Sequence, residues 1–115
     1  MGEALMGNTI VALVTNRRFF GFDGVNGEFS SSPIRSHESV VRTAVGANIA
    51  VAVTDQRLLG FSLGHPAILE FPLQLREEIE GVEATSDVVT VWTSRRVLYL
   101  GTGGGGWAER LRRLR

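Results

Sequence analysis

Short apolar runs recur along this chain in pairs, each pair divided by a threonine and two further polar residues. The first members cover residues 10–14, 49–53 and 88–92; the second cover 18–22, 57–61 and 96–100. Runs of this length rich in Val, Ile and Phe predict strands, and near-continuous apolarity predicts burial on both faces. The dividers Asn16-Arg17, Asp55-Gln56 and Ser94-Arg95 fit two-residue hairpin turns, because Asn and Asp tolerate the positive φ such turns favour. Gly-rich stretches at 24–27, 64–66 and 103–106 then predict a looser second turn.

A third strand follows each pair. It is shorter and more polar and carries one large residue, Phe29, Ile68 or Trp107. The segment 67–72 ends in Pro72, which suits an edge strand because proline cannot donate to a ladder. A fourth strand, rich in small residues, precedes each pair at 3–6, 42–45 and 81–84. The predicted unit is a four-stranded antiparallel meander with a small inner strand, two apolar middle strands and a polar outer one.

That unit is written three times with a period of 39 residues. Thr15-Asn16-Arg17-Arg18, Thr54-Asp55-Gln56-Arg57 and Thr93-Ser94-Arg95-Arg96 occupy equal offsets, giving one domain of three repeats, about 1–37, 38–76 and 77–115. A period of this length marks a solenoid, propeller or other symmetric array. The hairpin from Asn8 through Phe22, and its counterpart from Asp87 through Tyr99 to Trp107, resembles the middle of a β-propeller blade. The resemblance spans the whole chain as three blades, without a WD dipeptide or a kelch di-glycine. It implies an all-β propeller architecture and no particular activity.

Propellers close with about four to eight blades, so three predict a partner. The 115 residues fall two short of three full repeats, and Met1 aligns with Val40 and Ile79. A second copy would then continue the ring nearly in register, and the expectation is a six-bladed homodimer. The β-trefoil is the structural alternative, with three repeats closing as a monomer. Its strands bury mainly one face, and its Gln-x-Trp signature is missing here. The segment from Val53 to Leu59 is also similar to a bacterial pleckstrin-homology-like signature, but that fold does not repeat three times in this length.

Composition narrows the function classes. Twelve arginines, with no lysine, balance twelve acids, so no global field recruits nucleic acid or an anionic membrane. Cysteine is absent, which removes disulfides and thiolate chemistry. No apolar run approaches the ~18 residues of a membrane helix, and no basic leader is visible at the start; the expectation is a cytoplasmic protein without membrane insertion. Met6 stands where an N-myristoylation site needs Ser or Thr.

The candidate binding residues are Arg17, Arg18, Arg57, Arg95 and Arg96. As a cationic rim on one propeller face they would grip a carboxylate- or phosphate-bearing protein partner through bidentate bonds. Their repetition in every blade favours a structural role, each arginine tying its hairpin to the neighbouring blade. Trp92 and Trp107 are candidate pocket aromatics for a glycan or small ligand, although Val53 and Ile68 replace them in the second repeat. His37 and His65 occupy non-equivalent positions and make no metal set. The serines at 30, 31, 32, 36 and 39 lack a nucleophile-elbow context. Gly103 to Gly106 lack the Gly-Lys-Ser/Thr ending of a phosphate loop. The arginine-rich tail 107–115 aligns with an outer strand and its exit. The sequence therefore predicts a non-enzymatic scaffold or protein-binding module, an accessory subunit of a larger assembly, without cofactor. A lectin-like propeller is the alternative.

Overall fold

A computed structural model describes residues 2–64, 67–102 and 106–111. It contains three four-stranded antiparallel sheets in simple meander order. Blade 1 is β1 (Gly2–Met6), β2 (Ile10–Thr15), β3 (Arg18–Asp23) and β4 (Glu28–Pro33). Blade 2 is β5 (Val40–Val45), β6 (Ile49–Thr54), β7 (Arg57–Ser62) and β8 (Leu69–Pro72). Blade 3 is β9 (Ile79–Ala84), β10 (Val88–Thr93), β11 (Arg96–Gly101) and β12 (Ala108–Leu111). Phe29 lies within its outer strand, whereas Ile68 and Trp107 stand one residue before theirs.

Blade 2 lies between the other two, and each contact is a buried apolar layer. Ile10, Ala12, Val14 and Phe19 of blade 1 pack on Ala50, Ala52, Leu59 and Phe61 of blade 2. Ile49, Val51, Val53 and Leu58 of blade 2 pack on Val89, Val91, Leu98 and Leu100 of blade 3. Each blade therefore has a forward face, turned to the next blade in sequence, and a rear face, turned to the previous one. Residues 39 apart occupy the same place on the same face.

Within the single chain, burial of the middle strands on both sides is reached in blade 2. Only β6 and β7 are buried throughout, while the middle strands of blades 1 and 3 alternate. The end blades each have one covered face. The rear face of blade 1 leaves Leu13, Phe22 and Phe29 exposed, and the forward face of blade 3 leaves Val88 and Tyr99 exposed.

The middle hairpins also differ from the expected turn. Among the described non-glycine residues only Arg76 has positive φ, so Asn16 and Asp55 do not use the left-handed region. The turn is held by threonine instead. The Thr15 hydroxyl accepts the amides of Arg17 and Arg18, Thr54 accepts those of Gln56 and Arg57, and Thr93 accepts those of Arg95 and Arg96. A hydroxyl bonding its own chain two and three residues on is a local turn device that needs no glycine.

At the opposite end of the blades a second set of links recurs at the same period. The Thr9 hydroxyl donates to Asn48 Oδ1 at 2.7 Å, and Asn48 Nδ2 donates to Asp87 Oδ1 at 2.6 Å. Gly46 is required there by close approach, since a Cβ would fall 1.7 Å from the Thr85 carbonyl oxygen.

Candidate functional site

The densest polar chemistry sits where each hairpin turn meets the connector from the preceding blade. In blade 2 the Arg57 guanidinium donates through Nε to Glu38 Oε2 at 2.7 Å and through Nη2 to Glu38 Oε1 at 2.9 Å. Nη1 reaches Glu70 at 3.1 Å, and Nη2 also reaches the Pro33 carbonyl at the end of blade 1. Glu38 further accepts the Thr54 hydroxyl and the Arg35 amide. Blade 3 repeats the set. Arg96 donates to both oxygens of Glu77 at 2.8 Å, to Glu109 at 3.0 Å and to the Pro72 carbonyl. Thr93 and the Gln74 amide complete Glu77.

These are buried ion pairs. Arg57 and Arg96 are each 4% exposed, and Glu38 and Glu77 are 5% and 7% exposed. Burial opposes ionisation of Glu38, but the Arg57 side chain, the Thr54 hydroxyl and the Arg35 amide outweigh it and hold the carboxyl at about 2. For Glu77 burial is again opposed, by Arg96, the Gln74 amide and Thr93, with the same result of about 2. Both arginines are correspondingly held above their ordinary value, chiefly by the hydrogen bonds to these acids and against burial. Arg96 also lies over the Phe71 ring, 4.9 Å from its centroid.

Blade 1 has only part of this set. Arg18 is exposed, and its Nη2 bonds the Ser31 hydroxyl at 3.2 Å. Ser31 stands where the other blades have Glu70 and Glu109, and among the described residues Arg18 meets no carboxylate. The five arginines thus separate. Arg57 and Arg96 are enclosed between blades and do not form an open rim, because their donors are committed to connector acids, outer-strand acids and proline carbonyls. Arg17, Arg18 and Arg95 remain on the surface.

These acids were not paired with Arg57 and Arg96 from the sequence, although a signal was there. Glu38 precedes Arg57 by 19 residues, Glu77 precedes Arg96 by the same 19, and Glu70 and Glu109 follow their arginines by 13. The aromatics do not converge either. Trp107 is on the rear face of blade 3, donating its indole N–H to the Leu69 carbonyl at 2.9 Å and packing near Phe71. Trp92 belongs to the opposite face, since alternation along β10 places it away from buried Val91 and Thr93. The two tryptophans therefore do not meet within the chain.

His37 is exposed and offers its carbonyl to Gln56, while His65 lies outside the described residues, as do Gly103 to Gly105 and 112–115. Among the described residues no group of three or more metal-ligating side chains gathers. None of the described segments is a helix long and apolar enough to cross a membrane. Two grooves stand out. One, about 510 Å³, runs along the connector end and includes Arg35, Asp55, Gln56, Leu73 and Arg76. The other, about 330 Å³ and wholly apolar, lies on the rear face of blade 1 between Val11, Leu13, Phe20, Phe22 and Phe29.

Three meandering sheets stacked face to face and fastened at both ends are blades of a β-propeller. No protein-family model matches the chain, and no curated protein does. Among solved structures, the N-terminal domain of Nup159, a β-propeller, is similar with a TM-score of 0.50 at 12% identity. The match covers 94% of this chain and 29% of that one, and at such identity it speaks for the fold.

Proposed function

We propose that this chain is a non-enzymatic scaffold module, a half-ring of three blades that a second copy closes into a six-bladed propeller able to dock a protein partner on its connector end. One observation carries the closure. The two uncovered faces are a forward face and a rear face, the same two halves that pair twice inside the chain. A rear face with Phe22 and Phe29 left in water is a continuous apolar patch of the kind that marks an interface. Pairing blade 3 of each copy with blade 1 of the other covers both patches and is closed by a two-fold axis.

A scaffolding rather than catalytic role is supported by the state of the buried acids. Glu38 and Glu77 are ionised and saturated with donors, which suits fastening and leaves no proton to exchange near neutral pH. The partner surface in this reading is the 510 Å³ connector groove, together with Arg17 and Arg95, exposed in the hairpin turns of the two neighbouring blades. A glycan-binding role has no comparable support, since Trp107 spends its only donor inside the blade interface.

Light scattering across a dilution series tests the closure. The reading expects twice the 12.5 kDa chain mass, and a folded monomer at every concentration would end it. For the docking face, a stoichiometric protein partner released by Arg17→Glu with Arg95→Glu would support the assignment. Retention of that partner by the double variant would remove the groove from consideration.

A further inference from the structure

Inside the chain, blades meet by a rule visible at two glycines. Gly21 and Gly60 lie on forward faces at equivalent positions, and each receives a bulky residue from the next blade's rear face. A Cβ on Gly21 would lie 2.4 Å from the Phe61 ring, and one on Gly60 would lie 2.3 Å from Leu100 Cδ2 and 3.1 Å from the Trp107 ring. Contacts under 3 Å to packed core side chains leave no room for any side chain there.

The third copy of this position is Tyr99. It stands on the open forward face of blade 3, 37% exposed. The residue that would enter its socket, by the same offset, is Phe22, backed by Phe29 in the place of Ile68 and Trp107. The open rear face is itself enlarged, with Leu13 and Phe20 where blade 2 has Ala52 and Leu59. Phe20 and Phe29 are already stacked, with ring centroids 5.9 Å apart.

Resting on the ring proposed above, we propose that the junctions between copies are wider than the junctions within a copy. Tyr99 of one copy is a spacer that lies against Phe22 and Phe29 of the other, where the internal junctions insert a knob into a glycine socket. The ring is then two-fold, with four close blade contacts and two aromatic-filled wedges. Offset or edge-on packing of three rings fills a wider gap than Leu or Val would, which accounts for aromatic bulk on both open faces at one register position. The same bulk makes self-recognition specific. A blade presenting glycine at this position would leave the wedge empty, and one presenting the internal socket spacing would clash with Leu13 and Phe20.

The test is the dimer dissociation constant of Tyr99→Gly, Tyr99→Ala and Tyr99→Phe, measured by sedimentation. Glycine already occupies this position in the equivalent strand β7, so the backbone accepts it. The spacer arrangement expects Tyr99→Gly and Tyr99→Ala to weaken the dimer tenfold or more, and Tyr99→Phe to stay within threefold. Phe29→Ser, an exposed change on the other face, should weaken it comparably. Tighter association of Tyr99→Gly but not of Tyr99→Ala would mean that the junction is an ordinary glycine socket, and would overturn the proposal while leaving the ring intact. No change in any variant would overturn it as well. A wild-type chain that never dimerises would sink the ring itself, and the spacer with it.

Discussion

Arg18, Arg57 and Arg96 hold the same register position, yet only the last two are buried fasteners. The difference lies in the acid each one meets. A guanidinium leaves water at a cost of several kcal/mol, and only a bidentate carboxylate with its own remaining oxygens satisfied offsets that. Glu38 and Glu77 provide this for blades 2 and 3, whereas Arg18 meets no carboxylate among the described residues and finds Ser31 where the other two add Glu70 and Glu109. Removing one partner from a buried pair strands the other, so Glu77→Gln or Glu38→Gln should each cost about 3 kcal/mol in chemical denaturation. Arg18→Ala should stay within about 0.5 kcal/mol for the isolated chain, as for other exposed positions. Near-equal losses at Glu77 and Arg18 would contradict the assignment of roles. The same pairs set the acid limb. Their carboxyls fall from an ordinary 4.5 to about 2 on folding, so their stabilisation is full above pH ~4.5 and is lost as pH drops through about 2. Melting temperature should therefore decline between those values in the native chain, and the decline should be shallower in a Glu38→Gln/Glu77→Gln double variant.

At the scale of the strand and the turn, most of the architecture was legible, because a 39-residue period repeats each element's apolar run three times. The pairs at 10–14 and 18–22, and their copies, became the middle strands with the hairpin between them. Two things were not legible. Periodicity shows which strands can be buried on both faces but not which neighbour covers each face, so it did not single out β6 and β7 as the pair enclosed within the chain. Nor did turn propensity identify the hairpin device: Asn16 and Asp55 suggested positive φ, while the hydroxyls of Thr15, Thr54 and Thr93 held ordinary turns. The fastening role of the arginines was anticipated, but their acids lie 19 residues upstream in connectors, where the repeat of that spacing rather than composition points to them. The glycine sockets were equally silent in sequence. They lead to a sharp expectation: Gly60→Ala places a Cβ 2.3 Å from Leu100 and should destabilise by about 1–3 kcal/mol through overpacking. Ala at position 99 instead should leave the thermal stability of the isolated chain nearly unchanged. If Gly60→Ala melts like the parent, the blade 2–blade 3 packing described here is wrong.

For the whole molecule, the decisive feature is that an array with two unlike ends remains open until they meet. Blade 2 shows what completion looks like: both of its faces are covered, and its middle strands are buried from end to end. Blades 1 and 3 each lack one such cover, on opposite faces, and the exposed rings of Phe22, Phe29 and Tyr99 mark where it belongs. In the proposed ring a second copy would supply both covers at once and leave no face over. Sedimentation velocity over a hundredfold range of concentration tests this most directly. A closed two-copy ring would sediment as a single species of twice the 12.5 kDa chain mass that dissociates only on dilution, and at a higher concentration in Tyr99→Gly. A compact, stable monomer throughout would contradict it.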